Sequence, residues 1–278
     1  VSKSFDQSRQ LHWFPAEVLG TFILVLFGCG SVATAVTMGA LVGVFQVAIV
    51  WGLGLAMAIT LTGPYSGAHL NPAITLAFAL FTDFPKSRIG GYIVAQFVGA
   101  TLAAATVYLL FGSSIAEFES AAGIVRGEAG SEASAMVFGE YYPNPSGEAW
   151  TSEVMERAGL WQALFAEFLG TALLALGIFA FTAKGNPFAA GRATPLAIGL
   201  LLTSLICLFA PISQAGFNPA RDLAPRIFSA LTGWGSYAFS ANGSGWLTVY
   251  VLAPIVGAIA GGWLGSRLFS RTVSADQN

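Results

Sequence analysis

The sequence predicts an all-α membrane protein: six transmembrane helices plus two half-length helices in an inverted repeat. Three observations predict it. Hydrophobic residues make up 55% of the 278 and charged residues 9%, where an ordinary soluble chain has roughly 25% charged. Six apolar segments are long enough to cross a bilayer, which takes ~20 apolar residues. The stretch Gly67-Ala68-His69-Leu70-Asn71-Pro72-Ala73 has an echo in Gly216-Phe217-Asn218-Pro219-Ala220-Arg221-Asp222, and each precedes a segment too short to cross.

In chain order the spans fall at about 13–37, 43–63, 88–112, 160–182, 194–213 and 246–269. Residues 1–12 are polar, and the run after them is long enough to stay in the membrane, so no cleavable signal peptide is expected. Between spans two and three lies a half-helix at about 71–81, and between spans five and six another at about 218–230. Each opens on Asn-Pro-Ala. Asn caps a helix and Pro fits its first turn. Ile74 to Phe81 holds only about two turns before the polar Thr82-Asp83. The connection at about 113–159 is rich in Gly, Glu, Ser and Pro. It carries Glu117, Glu119, Glu128, Glu132, Glu140, Glu148, Glu153 and Glu156. It is read as a solvated acidic loop rather than a specific cation site.

The halves, about 13–112 and 160–269, repeat one another within a single domain spanning 1–278. Ala16-Glu17-Val18-Leu19-Gly20-Thr21 returns as Ala166-Glu167-Phe168-Leu169-Gly170-Thr171, and Tyr92–Ala100 matches Tyr250–Ala258. Each half holds three spans and one half-helix. Three is odd, so the second half enters the membrane upside down, which places a binding or conduction site between the halves near the midplane. An even number of spans puts both termini on one side. Lys3, Arg9, Lys86, Arg88, Lys184, Arg192, Arg267 and Arg271 fall on that side; Arg126 and Arg157 fall in the opposite loops. The positive-inside rule therefore places both termini in the cytoplasm and the 113–159 loop outside.

Two half-helix starts meeting at the midplane bring together free N–H groups and two positive dipole ends. Such a centre repels protons and other cations. Asn71 and Asn218 can each offer an amide NH2 to a passing hydroxyl or water. Non-helical backbone at that depth is tolerated where it is buried in protein or lines a wet cavity.

Other chemistry is thin. The net charge of -2 gives no nucleic-acid signal. Cys29 and Cys207 sit in apolar runs and read as buried thiols rather than a disulfide or metal ligands. With His12 and His69 as the two histidines there is no paired-His metal motif, phosphate-binding loop or convincing triad, so no enzyme, cofactor or metal site is expected. A secondary transporter also uses inverted repeats and broken helices. It would normally need titratable groups at the midplane, where this chain places amides. A structural junction protein with an incidental pore is a further alternative.

These motifs, with Ser66 ahead of the first and Arg221-Asp222 ending the second, resemble the aquaporin and aquaglyceroporin family of water and small-solute channels over about residues 13–270. Asp222, Ile124-Val125-Arg126-Gly127 and Tyr142-Pro143-Asn144-Pro145 resemble the bacterial glycerol-conducting branch, and Tyr108 and Arg226 keep its pattern. Tyr250 and Val251 depart from it, standing where glycerol facilitators have Pro and Leu.

The resemblance implies a multi-pass protein of the plasma (inner) membrane, a homotetramer with one pore per protomer, and glycerol, water and small neutral solutes as cargo. Its outer filter falls on Trp51, Ile206, Ala215 and Arg221. Ala215 takes a place that is Phe in glycerol facilitators and often Cys in water channels. Ile206 takes the place that is His in many strict water channels. An apolar wall opposite one guanidinium suits a polyol. It is also similar to plant nodulin-type filters, which pass glycerol and metalloid hydroxides, so a channel mainly for water or metalloid hydroxides is the alternative within the fold.

Trp51 could by itself be an interfacial anchor. Arg221 is unfavourable at a helix start and expensive in a membrane, which argues for a functional or ion-pair role. His69, Phe217 and Asp222 are assigned as pore-lining or supporting. His69 either faces the pore or satisfies loop carbonyls, and Asp222 favours the helix start or pairs a basic group. Glu17 and Glu167 are buried carboxylates, by default functional and conceivable as a proton relay. The resemblance implies instead that each accepts backbone N–H bonds from the loop entering a half-helix. Duplication in the repeat favours that scaffold reading.

Overall fold

The computed structural model describes residues 2–183, 186 and 189–269, with side chains from His12 onward. Lys3, Arg9, Lys184 and Arg271, which entered the orientation argument, have side chains outside the described residues. The long helices are α1 (Ser2–Met38), α2 (Val44–Ser66), α4 (Ile89–Ala122), α5 (Leu160–Thr182), α6 (Thr194–Ser213) and α8 (Ala253–Phe269). The half-helices are α3 (Pro72–Phe81) and α7 (Pro219–Ser229). Among the described residues six helical segments are long and apolar enough to cross a membrane, the last running Gly245–Phe269 through a π-helical stretch at Thr248–Leu252.

Boundaries differ from the sequence reading: α1 begins at Ser2 rather than about 13, and α2 runs on to Ser66 rather than about 63. Helix α4 continues to Ala122 and stops where Gly123 turns left-handed at φ 66°. The second half-helix ends as α-helix at Ser229 and continues as π-turns to Trp234, because Gly233 takes φ 123°.

The repeated residues hold equivalent joints in the two halves. Gly20 and Gly170 leave room for the residue before each half-helix Asn: an added Cβ would lie 2.5 Å from Leu70 and 2.1 Å from Phe217. Gly99 and Gly257 let α4 and α8 approach backbone, with an added Cβ at 2.3 Å from the Val18 carbonyl and 2.2 Å from that of Phe168. Tyr92 donates to the Ser66 carbonyl and Tyr250 to that of Ser213. Each half-helix packs against a long helix of the other half, α3 on α8 and α7 on α4.

The halves meet where α2 crosses α6. Gly52 and Gly199 stand at equivalent places in the repeat, and a Cβ on either would lie 2.4 or 2.3 Å from the other's carbonyl oxygen. Backbone cannot retreat there without parting the helices. Gly199→Leu is therefore expected to destabilise the fold by about 3 kcal/mol or more, read as a fall in thermal stability in detergent. Gly90→Ala, which meets nothing within 4 Å, serves as the control. Equal melting of the two variants would refute the crossing.

Candidate functional site

Both half-helices begin in the same way. Asn71 is extended at φ -159° and its Oδ1 accepts from Ala73 N at 2.8 Å, with Pro72 next in the first turn. Asn218 is extended at φ -150° and accepts from Ala220 N at 3.0 Å and Arg221 N at 3.3 Å. The asparagines also tie the two loops together. Asn71 Nδ2 donates to the Phe217 carbonyl at 2.8 Å, and Asn218 Nδ2 to the Leu70 carbonyl at 2.7 Å. One amide N–H on each remains for another partner.

The loops reach these starts through left-handed residues at equivalent positions: Gly67, Ala68 and Leu70 in one, Gln214, Ala215 and Phe217 in the other. Left-handed backbone is costly for non-glycine residues, of order 1–3 kcal/mol each, and persists where its surroundings over-determine it. Here buried carboxylates do so. Glu167 accepts from Gly216 N at 2.8 Å, Phe217 N at 2.7 Å and Ser213 Oγ at 2.7 Å. Glu17 accepts from Leu70 N at 2.5 Å and Gln96 Nε2 at 2.8 Å. Among the described residues no protein donor reaches the carbonyls of Ala68, His69, Ala215 or Gly216.

A cavity of about 100 Å³ runs along these loops, lined by Asn71 and Asn218 together with Trp51, Ile206, Ala215, Arg221, His69 and Phe217. Further lining by Leu24, Leu55, Ile59, Ile74, Leu174, Ile198 and Leu202 makes most of its wall apolar. A second cavity, of about 390 Å³, is lined by Gly39–Val44, Asn144, Ser146 and Gln214. Trp51, Ile206 and Arg221 line both, so they form the neck between the two spaces. The structure thus brings the sequence-selected residues together, with three exceptions. Asp222, Glu17 and Glu167 lie behind the wall. Asp222 accepts from Glu140 N at 2.6 Å and pairs with Arg226 at 2.7 Å. His69 lines the first cavity and packs among Phe78, Phe84 and Tyr92, with Nδ1 3.2 Å from Thr75 Oγ1.

The loop between α4 and α5 corrects the solvated-loop reading. Residues 131–141 are all buried, and Glu119, Glu132 and Glu140 are 7%, 1% and 0% exposed. Glu119 binds Arg126 and accepts from Ser134 Oγ. Glu132 accepts from Gly130 N, Trp150 N and Tyr237 Oη. Glu117, Glu128, Glu148, Glu153 and Glu156 are exposed, as expected.

Glu140 is the functional candidate that sequence reasoning missed. Its carboxylate forms an ion pair with Arg221 Nη2. The guanidinium also donates from Nη1 to the Phe138 carbonyl at 3.3 Å, and its Cζ lies 4.3 Å from the centre of the Trp51 ring. Burial pushes the Glu140 carboxyl up to about 8, with the facing Arg221 pulling against that rise. The loop that carries it is anchored by Gln214, whose Oε1 accepts from Tyr141 N and whose Nε2 donates to the Met136 carbonyl. In the first half the equivalent place is Gly67, which makes no such link.

Comparison with known proteins follows the same lines. The family model described as Major intrinsic protein matches residues 4–264. The chain is 41% identical over 247 residues to a glycerol uptake facilitator protein of Pseudomonas aeruginosa, covering 88% of this chain and 84% of that one. It is 38% identical over 247 residues to a propanediol uptake facilitator of Salmonella typhimurium, covering 88% and 89%. Among solved structures, the X-ray structure of the aquaglyceroporin from Plasmodium falciparum has the same fold, with a TM-score of 0.74 at 24% identity over 95% of this chain and 97% of that one.

Proposed function

Because the chain belongs to the major intrinsic protein family, we propose that it is a passive channel for glycerol and similar small uncharged solutes, with some water flow. One observation carries the reading: the neck residues and both half-helix asparagines line one cavity. A polyol needs apolar contact for its CH face and hydrogen-bond partners for its hydroxyls. Trp51, Ile206 and Ala215 supply the first. Arg221, the spare amide N–H groups of Asn71 and Asn218, and the open carbonyls of Ala68, His69, Ala215 and Gly216 supply the second. Relatives named for glycerol and for propanediol uptake, both polyols, support the substrate class.

Solutes pass the neck in single file and are handed to Asn71 and Asn218. The two half-helix starts disfavour protons and other cations there. Glu17 and Glu167 are scaffold, since each carboxylate accepts loop N–H bonds from behind the wall and neither lines the cavity. Asp222 and Phe217 support the filter, and His69 lines the opposite part of the path. A homotetramer in the plasma (inner) membrane, with cytoplasmic termini and no catalytic role, completes the reading.

Stopped-flow light scattering on proteoliposomes tests it. Glycerol permeability well above that of empty liposomes is the expected result; none above them sinks the reading. Concentrative uptake driven by a pH gradient would favour a coupled transporter instead.

A further inference from the structure

We propose that Glu140 is a positioning and charge-balancing residue of the neck: it cancels the charge of Arg221, so that the passage takes neutral solutes and does not hold anions. The proposal rests on the channel reading above.

The neck gathers positive charge. Two half-helix starts face the cavity, each equivalent to roughly half a positive charge, and Arg221 lines the same space. Such a site repels cations, but left to itself it would bind anions. A guanidinium forks onto planar oxyanions with charge-assisted hydrogen bonds, and apolar walls with little water strengthen that attraction.

The buried carboxylates nearby are committed elsewhere, except one. Asp222 is the partner of Arg226. Glu167 is taken by two loop N–H groups and Ser213, and Glu17 Oε1 by the Leu70 N–H and Gln96. Glu140 pairs with Arg221, the two side chains being 0% and 4% exposed. An unpaired arginine buried to that degree would be costly.

The backbone of Glu140 is pinned as well. Its N–H donates to Asp222 and its carbonyl accepts from Arg226 Nη2. The carboxylate therefore cannot swing away with a mobile loop. Glu140 lines neither cavity; it acts through Arg221. With Nη2 held by Glu140, Nη1 by Phe138 and the face covered by Trp51, the guanidinium keeps one pose and offers only part of its donor set to a solute. Inverted symmetry supplies no counterpart, since the residue equivalent to Arg221 in the first half is Ile74. The charge and its counter-charge thus stand together, on one side of the asparagines.

The test measures glycerol flux in proteoliposomes, with sodium nitrate or sodium gluconate at equal strength on both sides. Wild-type flux should be indifferent to nitrate. Glu140→Gln should become nitrate-inhibited, with a fall of about tenfold at saturation, the weight of one charge-assisted hydrogen bond. Glu140→Asp should relieve that inhibition, and adding Arg221→Leu to Glu140→Gln should abolish it.

A merely structural role would lower every permeability in proportion and leave nitrate without effect. That result, in a Glu140→Gln channel that still conducts, overturns the proposal. Nitrate inhibition of the wild type overturns it too, whether or not the variant folds. Absent wild-type glycerol flux sinks the channel reading and this proposal together, whereas wild-type flux with an indifferent Glu140→Gln variant sinks the proposal alone.

Discussion

Glu167→Ala is expected to remove most of the folded protein. The carboxylate accepts three hydrogen bonds at 2.7–2.8 Å, from Gly216 N, Phe217 N and Ser213 Oγ, and is itself 0% exposed. Alanine leaves those donors buried with no acceptor, and it opens a void. Each buried donor left unsatisfied costs about 1–3 kcal/mol, so the three together take a large fraction of a typical stability. The loss falls on Ala215 and Phe217, which are held left-handed at φ 62° and 53°. Without the carboxylate the loop has reason to relax, and the start of α7 with it. The check is monodisperse yield and melting temperature in detergent. Glu167→Gln should fall between, because its amide oxygen still accepts but its NH2 cannot. An alanine variant melting within about 2 °C of wild type would mean that the loop is held by something else. Glu17→Ala should be milder on the same scale, since Glu17 takes one backbone N–H and one amide of Gln96.

Much of this scaffold was legible in the sequence, for a physical reason. Lipid demands long apolar runs, so the spans announce themselves in composition. A half-helix must be capped, so Asn-Pro-Ala marks its start. Because the repeat duplicates whole joints, Ala-Glu-x-Leu-Gly-Thr preserves a carboxylate, a notch and a hydroxyl at fixed spacing. What the notch was for was not legible: only the fold puts Leu70 against Gly20 and Phe217 against Gly170.

The loop between α4 and α5 was misread because its burial has no periodicity. Residues 131–141 mix Ser, Ala and Glu with a short apolar run, Met136-Val137-Phe138, too brief to show a period, yet they sit wholly inside. Their partners lie far along the chain: Glu140 meets Arg221 and Asp222, and Ser134 accepts from Trp234 Nε1. One signal was available in principle. A buried arginine in a membrane protein requires a counter-charge, and Asp222, read as favouring the helix start or pairing a basic group, is its neighbour in the chain. The structure gives Asp222 to Arg226 and brings Glu140 to Arg221.

Ala215→Phe should narrow the neck and cut polyol flux more than water flux. Ala215 lines the cavity together with Trp51, Ile206 and Arg221. Its side chain is one methyl, and a benzyl group in its place must project into a space of about 100 Å³. Water is small enough to pass a ring that a three-carbon polyol must press against. Crowding of that kind costs about 1–3 kcal/mol; a barrier raised by ~1.4 kcal/mol slows passage about tenfold. A polyol should therefore lose roughly tenfold or more, with water losing less.

The fold should tolerate the change. Ala215 already holds a left-handed φ of 62°, and Phe217, two residues on, carries an aromatic side chain at φ 53°. Melting temperature in detergent separates a narrowed channel from a damaged one. Stopped-flow measurements of water, glycerol and a larger polyol on the same vesicles give the ratio. A fall in glycerol flux steeper than that in water, and steeper still for the larger polyol, places Ala215 at the constriction. Equal falls in all three, with unchanged stability, would put the constriction elsewhere along the cavity. The residues that could then set it are the apolar set the inverted repeat provides on the other side of the asparagines: Ile59, Ala68, Ile74 and Ile198, which occupy the places of Ile206, Ala215, Arg221 and Trp51 and line the same cavity.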